Sequence, residues 1–215
     1  GVASVDTARA VGDTLGCIHA QSAARPELAA QFDSDAIFFD IRLEPYLLAS
    51  AAKHPAHADA LRALVAQTQS HACALVHGDV SPKNILVGPR RVVLLDAECA
   101  WWGDPAFDLA FVLNHLLLKC LWTAAARDGF LHCFAALVER YFAQVDWEPA
   151  DALERRAAAL LPGLLLARVD GKSPVEYVTD DTQRAIVRDV AGALLHDPRQ
   201  RLQSVSDAWR ARLSR

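Results

Sequence analysis

The chain has 215 residues, of which 53% are hydrophobic and 22% charged, and a formal net charge of −4. That profile suits a globular chain with a sizeable core. It argues against an overall-charge attraction to nucleic acid or an anionic membrane. The opening residues carry no basic stretch followed by an apolar one, so no signal peptide is visible. The apolar run around Phe111–Leu121 is interrupted by Asn114, His115 and Lys119 and is too short to span a bilayer.

Five cysteines, an odd number without a pairing motif, point to reduced thiols and a cytoplasmic setting. His71-x-Cys73 and His132-Cys133 lack the spacing of a tetrahedral metal site, so the thiols read as small core residues. Arg199, Arg201, Arg210, Arg212 and Arg215 make the tail basic, but Asp197 and Asp207 interleave with them, as on a solvated helix face. No methionine is present, so the chain is expected to be processed or a piece of a longer one.

In chain order, Val5, Ala8, Val11, Leu15 and Ile18 recur at helical spacing and predict a helix over Ser4–Ala24, with Ser4 as N-cap. Gly12 and Gly16 weaken that helix but allow close packing, and Arg25-Pro26 ends it. The stretch Ala36–Ala49 is apolar with interspersed charge and divided by Pro45; it suits a strand or a helix equally. A second helix is expected from His57 to about Ser70, with Leu61, Leu64 and Val65 inward. Ile85–Val87 and Val92–Leu95, joined by Gly88-Pro89-Arg90-Arg91, predict a hairpin.

Asp104-Pro105 reads as an N-cap with proline at the first helical position. The helix that follows is apolar on nearly every face, as befits a buried axis. Later helices are marked by Phe130 to Phe142, by Leu153 to Leu164, where Pro162-Gly163 should kink or interrupt, and by Ile186 to Leu194. Gly171–Pro174 reads as a loop. A last helix is expected to open at Asp197-Pro198 and bury Leu202, Val205, Trp209 and Leu213. The whole is expected to be one mostly helical domain over residues 1–215 with a small hairpin at its chemical centre.

That centre is Leu75–Asp108. His77-Gly78-Asp79 is followed by Asn84 and then by Asp96-Ala97-Glu98, an order that suits phosphoryl transfer. Asp79, on a loop before a strand, is the candidate general base. Asn84 and Asp96 offer the hard oxygen atoms that magnesium requires, and Glu98 could reach a second ion or remain solvated. Lys83 could meet a transferred phosphoryl group as a point charge. His77 reads as a loop brace bonding backbone carbonyls. Asp108, in the first helical turn, is placed to anchor the backbone around His77–Asp79.

Together, His77-Gly78-Asp79, Asn84–Val87, Asp96-x-Glu98 and Gly103-Asp104-Pro105-x-x-Asp108-Leu109-Ala110 resemble the aminoglycoside phosphotransferase family. That family shares its fold with protein kinases and includes choline, homoserine and methylthioribose kinases. The resemblance implies that Asp79 is the base, that Asn84 and Asp96 hold Mg2+, and that Asp108 supports the loop. It also implies ATP as donor, a small-molecule hydroxyl as acceptor, and a helical C-terminal lobe as the fold.

Only 76 residues precede His77. They read mainly as helices, with no glycine-rich turn or strand lysine for ATP. The β-rich N-terminal lobe is therefore expected to be missing, and the chain to turn over poorly alone. For an aminoglycoside, a polycation, Asp146, Glu148, Asp151, Glu154, Glu176, Asp180 and Asp181 could supply an acidic surface. Alternatively, Phe38–Leu48 could line a pocket for a smaller polyol, with Arg42 meeting an anionic or hydroxyl-rich group, as in a methylthioribose-kinase-like enzyme. A third expectation is a non-catalytic, kinase-like binding module. Nothing in the pattern specifies an oligomeric state.

Overall fold

The computed structural model describes residues 2–88 and 91–214. Gly1, Pro89, Arg90 and Arg215 lie outside them, so the expected hairpin turn is only partly described and the last arginine of the basic tail lies outside the described residues. Nine α-helices and four three-residue strands form among the described residues, and the fold is mainly α.

Helix α1 (Val5–Ala23) starts where Ser4 Oγ accepts the Thr7 N–H at 3.3 Å. Its glycines let it lie against a later helix, α6 (Arg127–Phe142). A Cβ on Gly12 would stand 2.5 Å from the Leu137 carbonyl oxygen, and one on Gly16 would stand 2.8 Å from Gln144 Cβ. The stretch that suited strand and helix equally is helical. It runs through α2 (Asp35–Phe38), a π-helical segment (Phe39–Leu48) and α3 (Ala49–Lys53). Pro45 lies inside the π segment, whose wider turn tolerates a ring and a missing N–H that would disrupt an α-helical ladder. Helix α4 (Ala58–Ser70) buries Leu61, Leu64 and Val65 as expected.

Two small antiparallel pairs follow. Strand β2 (Ile85–Val87) and strand β3 (Val92–Leu94) form the expected hairpin, with Ile85 opposite Leu94. The other pair was not foreseen: β1 (Ala74–Val76) lies beside β4 (Trp101–Gly103), with Ala74 opposite Gly103 and Val76 opposite Trp101. Trp101 then stacks on Phe38 at 4.2 Å between centroids, which ties the π-containing helix to this ladder.

Helix α5 (Ala106–Trp122) is the buried axis, enclosed by α6, α7 (Ala150–Asp170) and the residues of the other layers. Asp104 Oδ1 accepts the Ala106 N–H at 2.9 Å, but the helix begins one residue later than expected, with Pro105 at the N-cap position and Ala106 as its first residue. Helix α7 runs through Pro162 without a break, and Gly163 gives room to Leu47 and Leu64. Helix α8 (Asp181–His196) is capped by Asp180.

The last helix, α9 (Leu202–Leu213), corrects an expectation: it opens at Leu202, not at Asp197-Pro198. Its cap comes from another helix. Glu154 of α7 accepts the Leu202 N–H at 3.0 Å and pairs with Arg201 at 2.6 Å. No helix among the described residues is long and apolar enough to cross a membrane.

Candidate active site

The β1–β4 ladder brings the chain leaving β1 beside the chain entering α5. Asp108, fully buried in the first turn of α5, therefore faces the loop 77–79. Its Oδ2 accepts the His77 N–H at 2.7 Å, and its Oδ1 accepts the Gly78 N–H at 2.8 Å. His19 Nε2 lies 3.3 Å from Oδ2, and His19 Nδ1 lies 2.8 Å from the Tyr141 hydroxyl. Burial holds the Tyr141 phenol well above its ordinary range, so its O–H donates to Nδ1 and His19 Nε2–H donates to the carboxylate. A buried carboxylate is tolerated because every partner donates to it.

Gly78 turns the loop at φ +81°, and a Cβ there would stand 2.8 Å from Cys99 Sγ. The Cys99 thiol, pushed up to about 11 chiefly by burial, stays protonated and donates to the His77 carbonyl at 3.6 Å. His77 braces the loop in a different way from that expected. Its Nδ1 accepts the Asp79 N–H at 3.2 Å instead of the ring donating to carbonyls.

Asp79 is buried apart from its opening to a cleft. Arg42 Nη2 approaches its Oδ2 at 3.2 Å and Lys83 Nζ approaches the same oxygen at 3.8 Å. Arg42 Nε also donates to the Gly78 carbonyl, so one guanidinium grips both the loop and its carboxylate. Neither Asp79 carboxylate oxygen accepts a hydrogen bond among the described residues, and the nearest approach of both cations is to Oδ2. Asn84 lies beneath: its Nδ2 donates to the Asp79 carbonyl at 3.1 Å, and its own carbonyl accepts the Leu95 N–H at 2.8 Å. It thereby joins the Asp79 loop to the residue just before Asp96.

Asp96 and Glu98 are exposed, and neither forms an ion pair among the described residues. Asp96 takes a left-handed backbone, φ +65°, a conformation that costs free energy and recurs at functional sites. Asp96 and Glu98 line the cleft onto which Asp79 opens, and carboxylate and amide oxygens are the donor type that a magnesium ion takes.

Asp79, Lys83, Asp96 and Glu98 line one side of a cleft of about 440 Å³, within the range of small-molecule sites. Helix α5 and the 173–177 loop form the other side. Of the seven acidic residues considered for a polycation, Glu176 alone lines this cleft. Glu148 is held by Arg156 at 2.8 Å, Glu154 serves α9, and Asp180 caps α8.

Arg156 also binds Asp104 at 2.9 and 3.1 Å, fixing the entry to α5. His71 and Cys73 gather near Glu148 at 3.5 and 3.8 Å. Arg156 already neutralises that carboxylate, and burial pushes the Cys73 thiol to about 12. The trio is a hydrogen-bonded cluster.

Sequence reasoning missed His19, Tyr141 and Arg156, and took Arg42 for a substrate contact alone. His19 had one signal: it continues the Val11–Leu15 stripe at a spacing of four, a polar residue on the apolar face.

The model of the phosphotransferase enzyme family matches residues 3–153. Among curated proteins, the methylthioribose kinase of Citrobacter koseri is 38% identical over 60 residues, an alignment spanning 28% of this chain and 15% of that relative's length.

Proposed function

The chain belongs to the phosphotransferase enzyme family, and from that premise we propose that it carries the proton-accepting and cation-binding half of a small-molecule kinase site. The carrying observation is the asymmetry at Asp79. Arg42 and Lys83 both make their nearest approach at Oδ2, and Oδ1 is the oxygen proposed to meet the acceptor. An acceptor hydroxyl gives its proton to Oδ1 while its oxygen forms a bond to the terminal phosphorus of a nucleoside triphosphate; the diphosphate leaves. Arg42 keeps the carboxylate fixed, so little reorganisation is needed as the proton moves.

Asn84 and Asp96, with Glu98 alongside, would hold Mg2+, which when bound neutralises charge on the phosphate oxygens. Lys83, exposed at the rim, would steer the phosphate end. Asp108 and His77 support the loop without touching the acceptor.

ATP is the proposed donor. The β structure among the described residues consists of the two short pairs, and neither forms a glycine-rich cover for phosphates. Nucleotide binding is therefore proposed to draw on elements beyond these residues, and the chain alone to turn over poorly.

The test compares this chain with one extended upstream, each assayed for magnesium-dependent phosphorylation of a panel of hydroxyl compounds. Asp79→Asn should lower turnover by about 10²–10⁴-fold. Undiminished turnover in that variant removes Asp79 as the base. A second reading, a sugar acceptor of the methylthioribose kind, is favoured by the 60-residue match; a panel that includes methylthioribose decides it.

A further inference from the structure

The far side of the cleft has a charge pattern of its own. Four cations line the cavity, and two of them, Arg42 and Lys83, already meet Asp79. The other two, Lys119 on α5 and Arg168 on α7, form no ion pair among the described residues. Lys119 Nζ sits 4.5 Å from the centroid of the Trp122 ring and 5.1 Å from that of Tyr177. Aromatic faces hold the ammonium in place without neutralising it. Arg168 is braced by neutral oxygen atoms: its Nη1 donates to Tyr46 Oη at 2.9 Å and to Ser173 Oγ at 3.1 Å.

His115, 3% exposed, lines the same cavity; its Nδ1 is 2.9 Å from Tyr177 Oη and its buried Nε2 has no partner among the described residues. Burial, reinforced by Arg168 and Lys119, holds this imidazole well below its ordinary range, so it stays neutral and offers one unfilled hydrogen-bonding position. Burial also lowers the Lys119 ammonium from its ordinary value. Glu176, the carboxylate on this side, is exposed and pairs with neither cation.

A polycation near α5 and α7 would meet Lys119 and Arg168, which no carboxylate pairs among the described residues, although Asp96, Glu98 and Glu176 line the same cavity. An oxyanion would supply the missing counter-charge and, through a neighbouring hydroxyl, a partner for His115.

We propose that the acceptor is a hydroxylated small molecule carrying a carboxylate or phosphate group, held by Lys119 and Arg168 with His115 reading an adjacent polar atom. This rests on the kinase reading for the word acceptor; the anion pocket itself stands on the charges and the cavity.

The experiment is nucleotide-free titration calorimetry of this chain with D-gluconate, with glucitol 6-phosphate, with neutral glucitol and with kanamycin. One or both anions should bind measurably, weaken as sodium chloride rises, and exceed glucitol and kanamycin. Which anion binds more tightly decides between carboxylate and phosphate. Lys119→Gln should weaken that binding about tenfold or more. His115→Gln should weaken both the anions and glucitol, and circular dichroism melts confirm that each variant is folded.

Equal affinity for gluconate and glucitol, tighter binding of kanamycin, no anion binding, or unchanged anion affinity in folded Lys119→Gln would each overturn the proposal. The kinase reading fails separately. If anions bind through Lys119 but no acceptor is phosphorylated by the upstream-extended chain, the pocket survives and the kinase assignment falls. If a neutral or cationic acceptor is phosphorylated without anion binding, the reverse holds.

Discussion

The two arms that frame the cleft are built in opposite ways. The loop 77–79 is buried and held by five residues: Asp108, Cys99, Arg42, His77 and Asn84. The segment 96–98 is exposed, with a left-handed residue and carboxylates that pair with nothing among the described residues. The first arm is finished by protein groups before any ligand arrives, as the proposed base, which must meet a hydroxyl at fixed geometry, requires. The second is left open at the place where a cation and phosphate oxygens would complete it.

The comparison breaks most readily at Asp108. Asp108→Ala would leave two buried backbone N–H groups and His19 without their acceptor, in a site with no room for bulk water. Unfolding in urea should show a loss of about 3–5 kcal/mol. Asp96→Asn, which tolerates the same backbone and buries nothing, should stay within about 0.5 kcal/mol of the parent. Comparable losses at the two aspartates would mean that the arms are not built differently.

Gly78→Ala is the next test and touches the closed arm without removing any hydrogen bond. The added Cβ meets Cys99 Sγ at 2.8 Å on a backbone that already prefers glycine, φ +81°. A cost of about 2 kcal/mol is expected. Turnover of the upstream-extended protein should fall with it, because Asp79 moves away from Arg42. A stable Gly78→Ala variant with full turnover would show that the loop is looser than its contacts indicate.

How far each arm was legible follows from where its partners come from. Asp79, Asn84, Asp96 and Asp108 sit within about 30 residues of one another, so their order and spacing carry the chemistry. Arg42, His19 and Tyr141, which brace the loop directly or through Asp108, and Arg156, which fixes the entry to α5, come from helices far away in sequence, and no local pattern records where they meet. The same holds for the fold. Helices with a clear apolar stripe, such as α4 and α8, were readable from spacing, and so was the β2–β3 hairpin.

The β1–β4 pair was not, because Ala74-Leu75-Val76 and Trp101-Trp102-Gly103 are three residues each, too short for alternation to show. Asp197-Pro198 imitates a helix start, but the donor that needed capping belongs to Leu202, and the carboxylate that caps it is Glu154 on α7. Local turn chemistry was outcompeted by a contact across 48 residues of chain.

A change of opposite sign is the sharpest test of the open arm. Asp96 holds φ +65° without a glycine's freedom and without a charged partner among the described residues. Asp96→Gly relieves that strain and should raise stability by about 1 kcal/mol, an unusual sign for removing a site residue. The carboxylate is then gone, so the rise in melting temperature expected of the parent with Mg2+ by mass action should be absent from the variant. Gain of stability with loss of the Mg2+ response is the signature of a residue kept in a costly conformation for a ligand. If Asp96→Gly is instead destabilised, the aspartate is an ordinary turn residue held by contacts of its own. The open arm would then be a surface loop, and the contrast with the clamped base would lose its functional meaning.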